Sequence, residues 1–291
     1  MEKTVKLLLC ALGILLAVEA SLFPADPIFD ETIRNLNLNG NKFEKVLGGM
    51  PAEENEFPYQ VAIISTNFTD YDGFCGGSLI SSRHVITAAH CIASFVASSV
   101  IVGTNQPLNH SSPGYLEVFD TIRTPHPKYD SGLLDYDIAL LTLARDVPLG
   151  ENIQPVLLPR LNTNLNLDGR TGLLTGWGKI NDDPNGYLSD DLLKVNVPIV
   201  NNQNCVNAYG PIYLNERKVC VATQGGTVGP CLGDSGGPLV VFDSEFGETV
   251  QVGLVSFGAA QGCTVGFPTV FTRLTSYIQW IADNGGPAVR I

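Results

Sequence analysis

The chain has 291 residues, with 17 Lys or Arg against 29 Asp or Glu, so its formal net charge is −12. Because the basic residues form no cluster, this composition argues against nucleic acid or an anionic membrane surface as a partner. The excess of acidic side chains indicates a well-solvated protein surface.

The N-terminal segment has the organisation of a secretory signal peptide. Two lysines precede an apolar core over residues 7–18, and Ala20 supplies a small residue for cleavage. The core is shorter than the about 20 apolar residues that a membrane span needs. We therefore predict a signal peptide over residues 1–20 and a secreted, extracellular protein with no membrane partner.

Residues 21–45 form a second zone that is polar, contains Asp and Asn, and has no cysteine. This composition indicates a short activation pro-segment, and the lack of cysteine argues against a disulfide-knotted regulatory module. The remaining residues, 46–291, are expected to form one domain.

The cysteines indicate disulfide bonding. Cys10 leaves with the signal peptide, so six of the seven cysteines remain, which in an oxidising compartment indicates three disulfides. Spacing alone does not choose among the possible pairings. A zinc site is the alternative, but the sequence lacks the paired C-x-x-C motifs that would support it.

Short apolar runs separated by Gly, Pro, Asn and Asp follow along the domain, at residues 59–64, 85–89, 100–102, 138–143 and 239–242. Many short strands with frequent turns predict an all-β barrel or sandwich. One stretch near the end has helical periodicity instead, because its apolar residues are spaced at i, i+3, i+4 and i+7: Leu274, Tyr277, Ile278 and Ile281. We expect this helix to pack its apolar face on the β structure.

Two tripeptides in the domain have the form of N-glycosylation sequons. They begin at Asn67 and Asn109. Such tripeptides also arise by chance, so the sequence predicts acceptor sites without predicting their occupancy.

The octapeptide CLGDSGGP at residues 231–238 contains a candidate nucleophile, Ser235. A nucleophilic serine needs an exposed hydroxyl on a tight turn, with backbone N–H groups directed at the oxygen that becomes negative. Glycines permit such a turn because they tolerate positive φ and add no side chain that would block a substrate.

Two upstream residues can supply the base and the acid that such a serine requires. His90 ends an apolar run and precedes Cys91, and its near-neutral pKa suits it to accept and return a proton. Asp137 begins the next apolar run and can hold the histidine in one tautomer. The chain order is therefore His, Asp, Ser.

Three other histidines and one other acid compete for these roles: His84, His110, His126 and Asp135. The histidines lack the Ala-Ala-His-Cys setting, and Asp135 does not directly precede the apolar run. We interpret the three histidines as surface or core residues.

Six motifs stand in one order along the chain: VLGG at 46–49, TAAHC at 87–91, DIAL at 137–140, TGWG at 175–178, the octapeptide, and SFG at 256–258. Together they resemble the chymotrypsin, or trypsin-like, serine protease family, from Val46 to about Asn284. The resemblance implies an all-β fold of two six-stranded antiparallel barrels with a C-terminal α-helix and the active site in the cleft between the barrels. His90 and Asp137 would come from the first barrel and Ser235 from the second.

The resemblance also implies which cysteines pair and which backbone groups bind the oxyanion. The implied disulfides are Cys75–Cys91, Cys205–Cys220 and Cys231–Cys263. The oxyanion donors would be the N–H groups of Gly233 and Ser235.

Activation of a zymogen follows from the same resemblance. Cleavage after Lys45 would free an ammonium group at Val46, which would pair with Asp234 and order the oxyanion turn. The start of the mature chain, Val-Leu-Gly-Gly, departs conservatively from the family's usual Ile-Val-Gly-Gly. Because Lys45 is basic, the activator is expected to be a trypsin-like protease.

The residues matched to the specificity pocket indicate a preference for uncharged substrate side chains. Gly229 stands at the pocket base, where trypsin-like members carry aspartate, Ser256 and Gly258 line one side, and Thr269 lies on the opposite wall. With no acid expected to face the pocket, a Lys or Arg side chain would be buried without a partner. Residues 266–273 resemble brachyurin-type proteases, but those carry aspartate at the position of Thr269, which argues against cleavage after basic residues and of collagen.

The mechanism requires no cofactor and no metal. Residues 92–116, where the family's calcium loop would lie, contain no Asp or Glu, so no calcium is expected there. The expected partners are protein or peptide substrates, the activating protease and protein protease inhibitors, and the enzyme is expected to be a monomer.

The main interpretation is a digestive serine endopeptidase made as a zymogen. One alternative is an inactive homologue that acts as a binding module, which the complete His, Asp and Ser set disfavours. The other is a dedicated processing protease, which the absence of a regulatory prodomain disfavours.

Overall fold

The computed structural model of the chain describes residues 47–67, 72–119, 121–161, 163 and 165–291. The expected signal peptide, the pro-segment, Lys45 and Val46 lie outside the described residues, so the signal peptide, the pro-segment and the activation cleavage stay predictions. Among the described helices, none has the length and apolar character needed to cross a membrane.

The described chain is built mainly from short strands, as the pattern of apolar runs predicts. The strands are β1 Met50–Pro51, β2 Gln60–Thr66, β3 Asp72–Ser81, β4 His84–Thr87, β5 Ala97–Val102, β6 Leu116–Val118, β7 Ile122–Pro125, β8 Ala139–Thr142, β9 Thr171–Gly176, β10 Leu193–Val200, β11 Lys218–Val221, β12 Pro238–Asp243, β13 Glu248–Phe257 and β14 Thr269–Arg273. The α-helices are α1 Gln203–Tyr209 and α2 Ile278–Asp283.

The first half of the domain is a curled antiparallel sheet. Its strand order is β6-β5-β2-β3-β4-β8-β7. Inward-facing side chains such as Val61, Ile63, Leu79, Val85 and Leu141 are fully buried and form its core. Within the described ranges its edge strands β6 and β7 do not pair with each other, so this sheet forms a half-barrel.

The second half is a closed barrel. Strands β9 to β14 pair in the order β10-β11-β14-β13-β12-β9, and pairing of β9 with β10 closes the ring, while β1 adds to the edge of β10. Its core contains Leu174, Val197, Val219, Leu239 and Phe271. The predicted all-β, chymotrypsin-like fold is therefore confirmed.

A third apolar cluster joins the two halves and holds the C-terminal helix. Ile86 and Leu140 from the first half pack with Val240 and Leu254 from the second. The predicted helical stripe joins the same cluster, with Leu274, Tyr277, Ile278 and Ile281 all buried. The C-terminal helix is thus confirmed, although Leu274 lies in a preceding 3₁₀ turn.

Helix α1 was not expected from the sequence. Cys205 is its buried residue, so it has no apolar periodicity to reveal it. The disulfide from Cys205 to Cys220 on β11 anchors this helix to the second barrel. The other two bonds join Cys75 to Cys91 and Cys231 to Cys263, which are the pairs that the family resemblance implies.

Candidate active site

Strand pairing in the first half brings His90 and Asp137 together. His90 lies in the 3₁₀ turn Ala89–Cys91 that follows β4, and Asp137 precedes β8. Strands β4 and β8 pair antiparallel, with Thr87 opposite Ala139. The residues that follow one strand and precede the other therefore meet at the same edge of the sheet.

Asp137 is fully buried, at 0% exposure, and holds the histidine from two directions. Its Oδ2 atom lies 2.9 Å from His90 Nδ1, and its Oδ1 atom accepts the His90 backbone N–H at 2.9 Å. The Ser256 hydroxyl also donates to Oδ2, at 2.7 Å. With Nδ1–H donated to the carboxylate, the Nε2 atom, which lies 3.7 Å from Cys91 Sγ, carries the lone pair that can accept a proton.

The electrostatic environment keeps Asp137 ionised. Burial raises the pKa of its carboxyl, but the charge and hydrogen bonds of His90, helped by the Ser256 hydroxyl, outweigh burial and hold that pKa below its usual range. An anion beside His90 Nδ1 favours the cationic imidazolium that forms during acyl transfer.

Ser235 lies on a turn before β12 that packs tightly against the first half of the domain. The Ser235 carbonyl accepts the N–H of Gly76 on β3 at 2.8 Å. A Cβ atom on Gly236, which has φ of +74°, would lie 2.1 Å from Thr87 Oγ1, so only glycine fits this approach. Ser235 and His90 both line one cavity of about 620 Å³ at the junction of the two halves.

The two residues whose N–H groups are the expected oxyanion donors, Gly233 and Ser235, both line the same cavity. Gly233, which also lines it, has φ of +101°, and a Cβ atom there would lie 2.4 Å from Leu188 Cδ2. Within the described part of the chain, the N–H groups of Gly233 and Ser235 donate no hydrogen bond to the protein. They are therefore available to a developing oxyanion.

Asp234 points away from that cavity into the protein and is 1% exposed. Its two oxygens accept the N–H groups of Gly178, at 2.7 Å, and Cys231, at 2.9 Å. Cβ atoms on Gly176 and Gly178 would lie 2.0 and 2.3 Å from the carboxylate, so the TGWG motif makes room for it. Burial raises the pKa of Asp234 to about 6, since the two amide donors only partly compensate.

The described chain begins at Leu47, which contacts the loop that contains Thr227 and Gly229. The Leu47 carbonyl accepts the N–H of Gly229 at 3.3 Å. A Cβ atom on Gly48, with φ of +73°, would lie 2.3 Å from the Thr227 carbonyl oxygen. This contact explains why the first glycine of the VLGG motif, Gly48, cannot carry a side chain. Val46 is outside the described residues.

A second cavity, of about 240 Å³, opens beside Ser235 and is lined by most of the expected pocket residues. Ser256, Gly258 and Thr269 line it, while Gly229 does not. The Thr269 Oγ1 atom lies 3.8 Å from where a Cβ on Gly258 would be, and Phe257 on β13 pairs with Val270 on β14, so Gly258 and Thr269 are neighbours across the paired strands.

The expectation that no acid faces this pocket is wrong. Asp182, an exposed residue, also lines the cavity. Its carboxylate accepts the backbone N–H groups of Cys263 and Thr264. Sequence reasoning missed it because Asp182 is about 80 residues from these partners and belongs to none of the six motifs.

The competing residues have other partners. His84 Nδ1 lies 2.9 Å from Ser81 Oγ, His126 stacks on Tyr136 with ring centroids 4.8 Å apart, and the ring of His110 lies 5.0 Å from that of Tyr115. Asp135 forms an ion pair with Arg217 at 2.6 Å. The structure brings none of the four into the His90–Asp137 hydrogen-bond pair.

Two basic residues that the sequence analysis did not single out hold the loop before Asp137. Leu134 and Tyr136 have positive φ, at 49° and 51°, which is strained for these residue types. Arg217 binds the Asp135 carboxylate through two nitrogens, and the buried Lys218 ammonium donates to the Leu134 carbonyl. Burial lowers the pKa of Lys218, opposed by the nearby charges of Asp137 and Asp135.

Among the residues that the structure describes, two clusters have the residue types of a metal site: Cys75 with His90 and Cys91, and Asp182 with Cys231 and Cys263. All four cysteines are in disulfides, so they provide no thiolate ligand. Neither cluster therefore has the donor set of a zinc centre.

Comparison with known proteins agrees with this geometry. Residues 46–281 match the protein-family model described as Trypsin. The chain is 36% identical over 241 residues to brachyurin of Leptuca pugilator, covering 83% of this chain and 99% of that one. It is 34% identical over 242 residues to chymotrypsin of Phaedon cochleariae, covering 82% of each.

A solved structure of HL collagenase is similar with a TM-score of 0.74 and 31% identity, covering 84% of this chain and 100% of that one. The likeness therefore extends over nearly all of the described domain, in fold as well as in sequence. The chain belongs to the trypsin family of serine proteases and is a serine endopeptidase that acts on protein or peptide substrates.

Proposed function

We propose that the protein is a secreted digestive endopeptidase, made as a zymogen, with His90, Asp137 and Ser235 as its catalytic triad. The observation that carries this proposal is the buried Asp137 carboxylate bonded to His90 Nδ1, with Ser235 in the same cavity. Removal of the pro-segment by a trypsin-like enzyme is part of the proposal, and protein protease inhibitors are expected partners.

In the proposed mechanism Ser235 Oγ attacks the scissile carbonyl carbon while His90 Nε2 takes the hydroxyl proton. The carbonyl oxygen becomes negative and is held by the N–H groups of Gly233 and Ser235, each contributing about 3 kcal/mol to transition-state stabilisation. His90 returns the proton to the leaving amine, so an acyl-enzyme remains. Water then repeats the same steps with Ser235 as the leaving group.

The substrate backbone is expected to bind along the end of β13. Ser256 and Gly258 line the specificity pocket, and the strand ends at Phe257. An extended peptide can add to such a strand through backbone hydrogen bonds. On this proposal the P1 side chain, which precedes the scissile bond, would occupy the 240 Å³ cavity beside Ser235.

The activated enzyme is expected to cleave after uncharged side chains and poorly after Lys or Arg. Gly229 supplies no charge, and the carboxylate of Asp182 is already occupied by the amides of Cys263 and Thr264. A Lys or Arg head group would have to compete with those amides for the Asp182 carboxylate. Values of kcat/KM on matched peptides with Phe, Leu, Ala, Lys and Arg at P1 test this, and a preference for Arg over Leu would contradict it.

Thr269 is expected to shorten the pocket. Replacing it by glycine removes the side chain beside Gly258, so the Thr269→Gly variant should shift preference from Leu and Ala toward Phe and Tyr, by about tenfold in the kcat/KM ratio. The control is Thr269→Val, which keeps the size and should keep the preference. An unchanged ratio in Thr269→Gly would remove this role from Thr269.

The alternative of an inactive binding module predicts no covalent labelling. A fluorophosphonate probe reacts with an activated serine and should label the trypsin-treated protein at Ser235. Labelling absent from a correctly processed sample would favour the binding module. A cleavage profile restricted to one sequence would instead favour a dedicated processing protease.

A further inference from the structure

Asp182 connects two separate segments at the wall of the pocket. Its Oδ1 atom accepts the Cys263 N–H at 2.6 Å, and its Oδ2 atom accepts the Thr264 N–H at 3.0 Å and the Thr264 hydroxyl. Residues 262 and 263, on the receiving segment, line the cavity together with Asp182. One carboxylate therefore satisfies two consecutive backbone donors beside the pocket.

The backbone on both sides is shaped to allow this close contact. A Cβ atom on Gly262, which has φ of +131°, would lie 2.3 Å from Asp182 Cγ. On the other side, a Cβ atom on Gly226, with φ of +83°, would lie 2.1 Å from the Thr264 carbonyl oxygen. Segment 262–264 is thus packed between Asp182 and Gly226. Only glycine fits at positions 226 and 262, because a Cβ atom at either would clash.

The segment that carries Asp182 is itself bonded to the turn at residues 231–236, which contains Ser235 and is called the catalytic turn below. Gly178, four residues earlier, donates its N–H to Asp234, and the Lys179 N–H donates to the Leu232 carbonyl at 2.7 Å. The disulfide Cys231–Cys263 joins the receiving segment to the same turn. Segment 178–182 therefore links the catalytic turn to the pocket wall by a second, noncovalent route.

The charge of Asp182 strengthens its hydrogen bonds to segment 262–264. The hydrogen bond from the Thr264 hydroxyl lowers the pKa of the carboxyl, slight burial opposes this, and the amides of Cys263 and Thr264 lower it further. The group is consequently an anion at neutral pH. Hydrogen bonds from amides to an anionic acceptor are shorter and stronger than those to a neutral one.

We propose that Asp182 is a positioning residue for the specificity pocket, which holds segment 262–264 so that the wall fits a large P1 side chain. The proposal rests on the proposed function of that pocket. It predicts a defect only for substrates that fill the pocket, because His90, Ser235 and Gly233 form no hydrogen bond with Asp182 in the described structure.

The test compares two classes of substrate on the activated enzyme and on the Asp182→Ala variant. One is a peptide anilide with Phe or Leu at P1, and the other is p-nitrophenyl acetate, whose small acyl group leaves the pocket empty. We expect kcat/KM on the peptides to fall about tenfold, mainly through KM, as loss of a charge-assisted hydrogen bond predicts. Acetate ester hydrolysis should stay within about twofold.

The matched control is Asp183→Ala. Asp183 is the exposed neighbour of Asp182, and its carboxylate bonds within its own loop, to the Asn185 N–H at 2.9 Å. This variant should keep both activities within about twofold. A similar peptide defect in Asp183→Ala would overturn the proposal, because any change in this loop would then be enough to lower peptide hydrolysis.

Other outcomes also decide the question. Unchanged peptide kinetics in Asp182→Ala, or an equal loss on peptide and ester, would overturn the proposal. A loss confined to Lys and Arg peptides would overturn it too, because Asp182 would then bind the substrate charge directly. If Asp182→Ala does not fold, Thr264→Val removes only the hydroxyl contact, and the proposal predicts a peptide-selective loss of about threefold.

The proposed function has a separate readout in the same experiment. The initial burst of p-nitrophenol from the wild-type enzyme counts the active serines. A wild-type protein without a burst would fail as a serine hydrolase before any variant is compared. A normal wild-type burst together with unaltered Asp182→Ala peptide kinetics would reject only the role of Asp182.

Discussion

Replacing Ser235 by alanine is expected to lower kcat on peptide substrates by on the order of 10⁶-fold, while leaving folding intact. The Ser235 hydroxyl is the nucleophile of the proposed mechanism, with His90 in the same cavity as its base. Residual hydrolysis would come from the oxyanion donors and from substrate binding alone. Kinetics of the trypsin-activated variant on a P1 Leu peptide measure the loss.

The control for this variant is Ser244→Ala, in the exposed turn after β12. It should retain wild-type kinetics and fluorophosphonate labelling, whereas Ser235→Ala should lose both. Substantial hydrolysis by a purified, contamination-free Ser235→Ala protein would show that another residue is the nucleophile.

The Asp234→Asn precursor is expected to be cut after Lys45 normally, yet to yield a product with almost no activity. Asp234 is 1% exposed and accepts two backbone N–H groups, from Gly178 and Cys231. In the proposed activation its charge also attracts the new Val46 ammonium. An asparagine keeps the size but offers no charge, so the ammonium would not be held and the oxyanion turn would lose its order.

The raised pKa of Asp234 shows how its charge affects the folding stability of the protein. Because burial raises the folded-state pKa from 3.8 to about 6, ionisation of Asp234 costs folding free energy. The cost begins as pH rises above about 4 and is complete above about 6. At neutral pH the buried anion is therefore destabilising until a cation pairs with it, which makes the ammonium an effective switch.

The activation test uses N-terminal sequencing and burst titration after treatment with catalytic trypsin. Wild-type precursor and an Asp190→Asn control, changed at an exposed acid, should both begin at Val46 and become active. Precursor incubated alone should stay inactive, since its own pocket favours uncharged side chains over Lys45. Rapid, concentration-dependent self-activation would contradict this mechanism, as would a different N-terminus or an active Asp234→Asn product.

The sequence by itself determined the fold class and the chemistry-bearing residues. Short apolar runs separated by frequent turn residues predict an all-β domain of many short strands, and the spacing from Leu274 to Ile281 predicts the final helix. His90, Asp137 and Ser235 could be singled out because each stands in a short motif whose neighbours have a local physical purpose. Gly236, for instance, permits a turn that any Cβ would block.

Only the tertiary structure decided which distant residues support that site. Arg217 and Lys218 hold the loop before Asp137 from the opposite barrel, and Asp182 reaches the pocket wall from a loop 81 residues away from Cys263. A single exposed acid or a lysine at the start of a strand has no local pattern that distinguishes it. Lys218 and Asp182 bind a backbone carbonyl and backbone amides, groups that nearly every residue has, and Arg217 binds a carboxylate 82 residues away. Sequence therefore cannot specify these pairings, and only the folded geometry does.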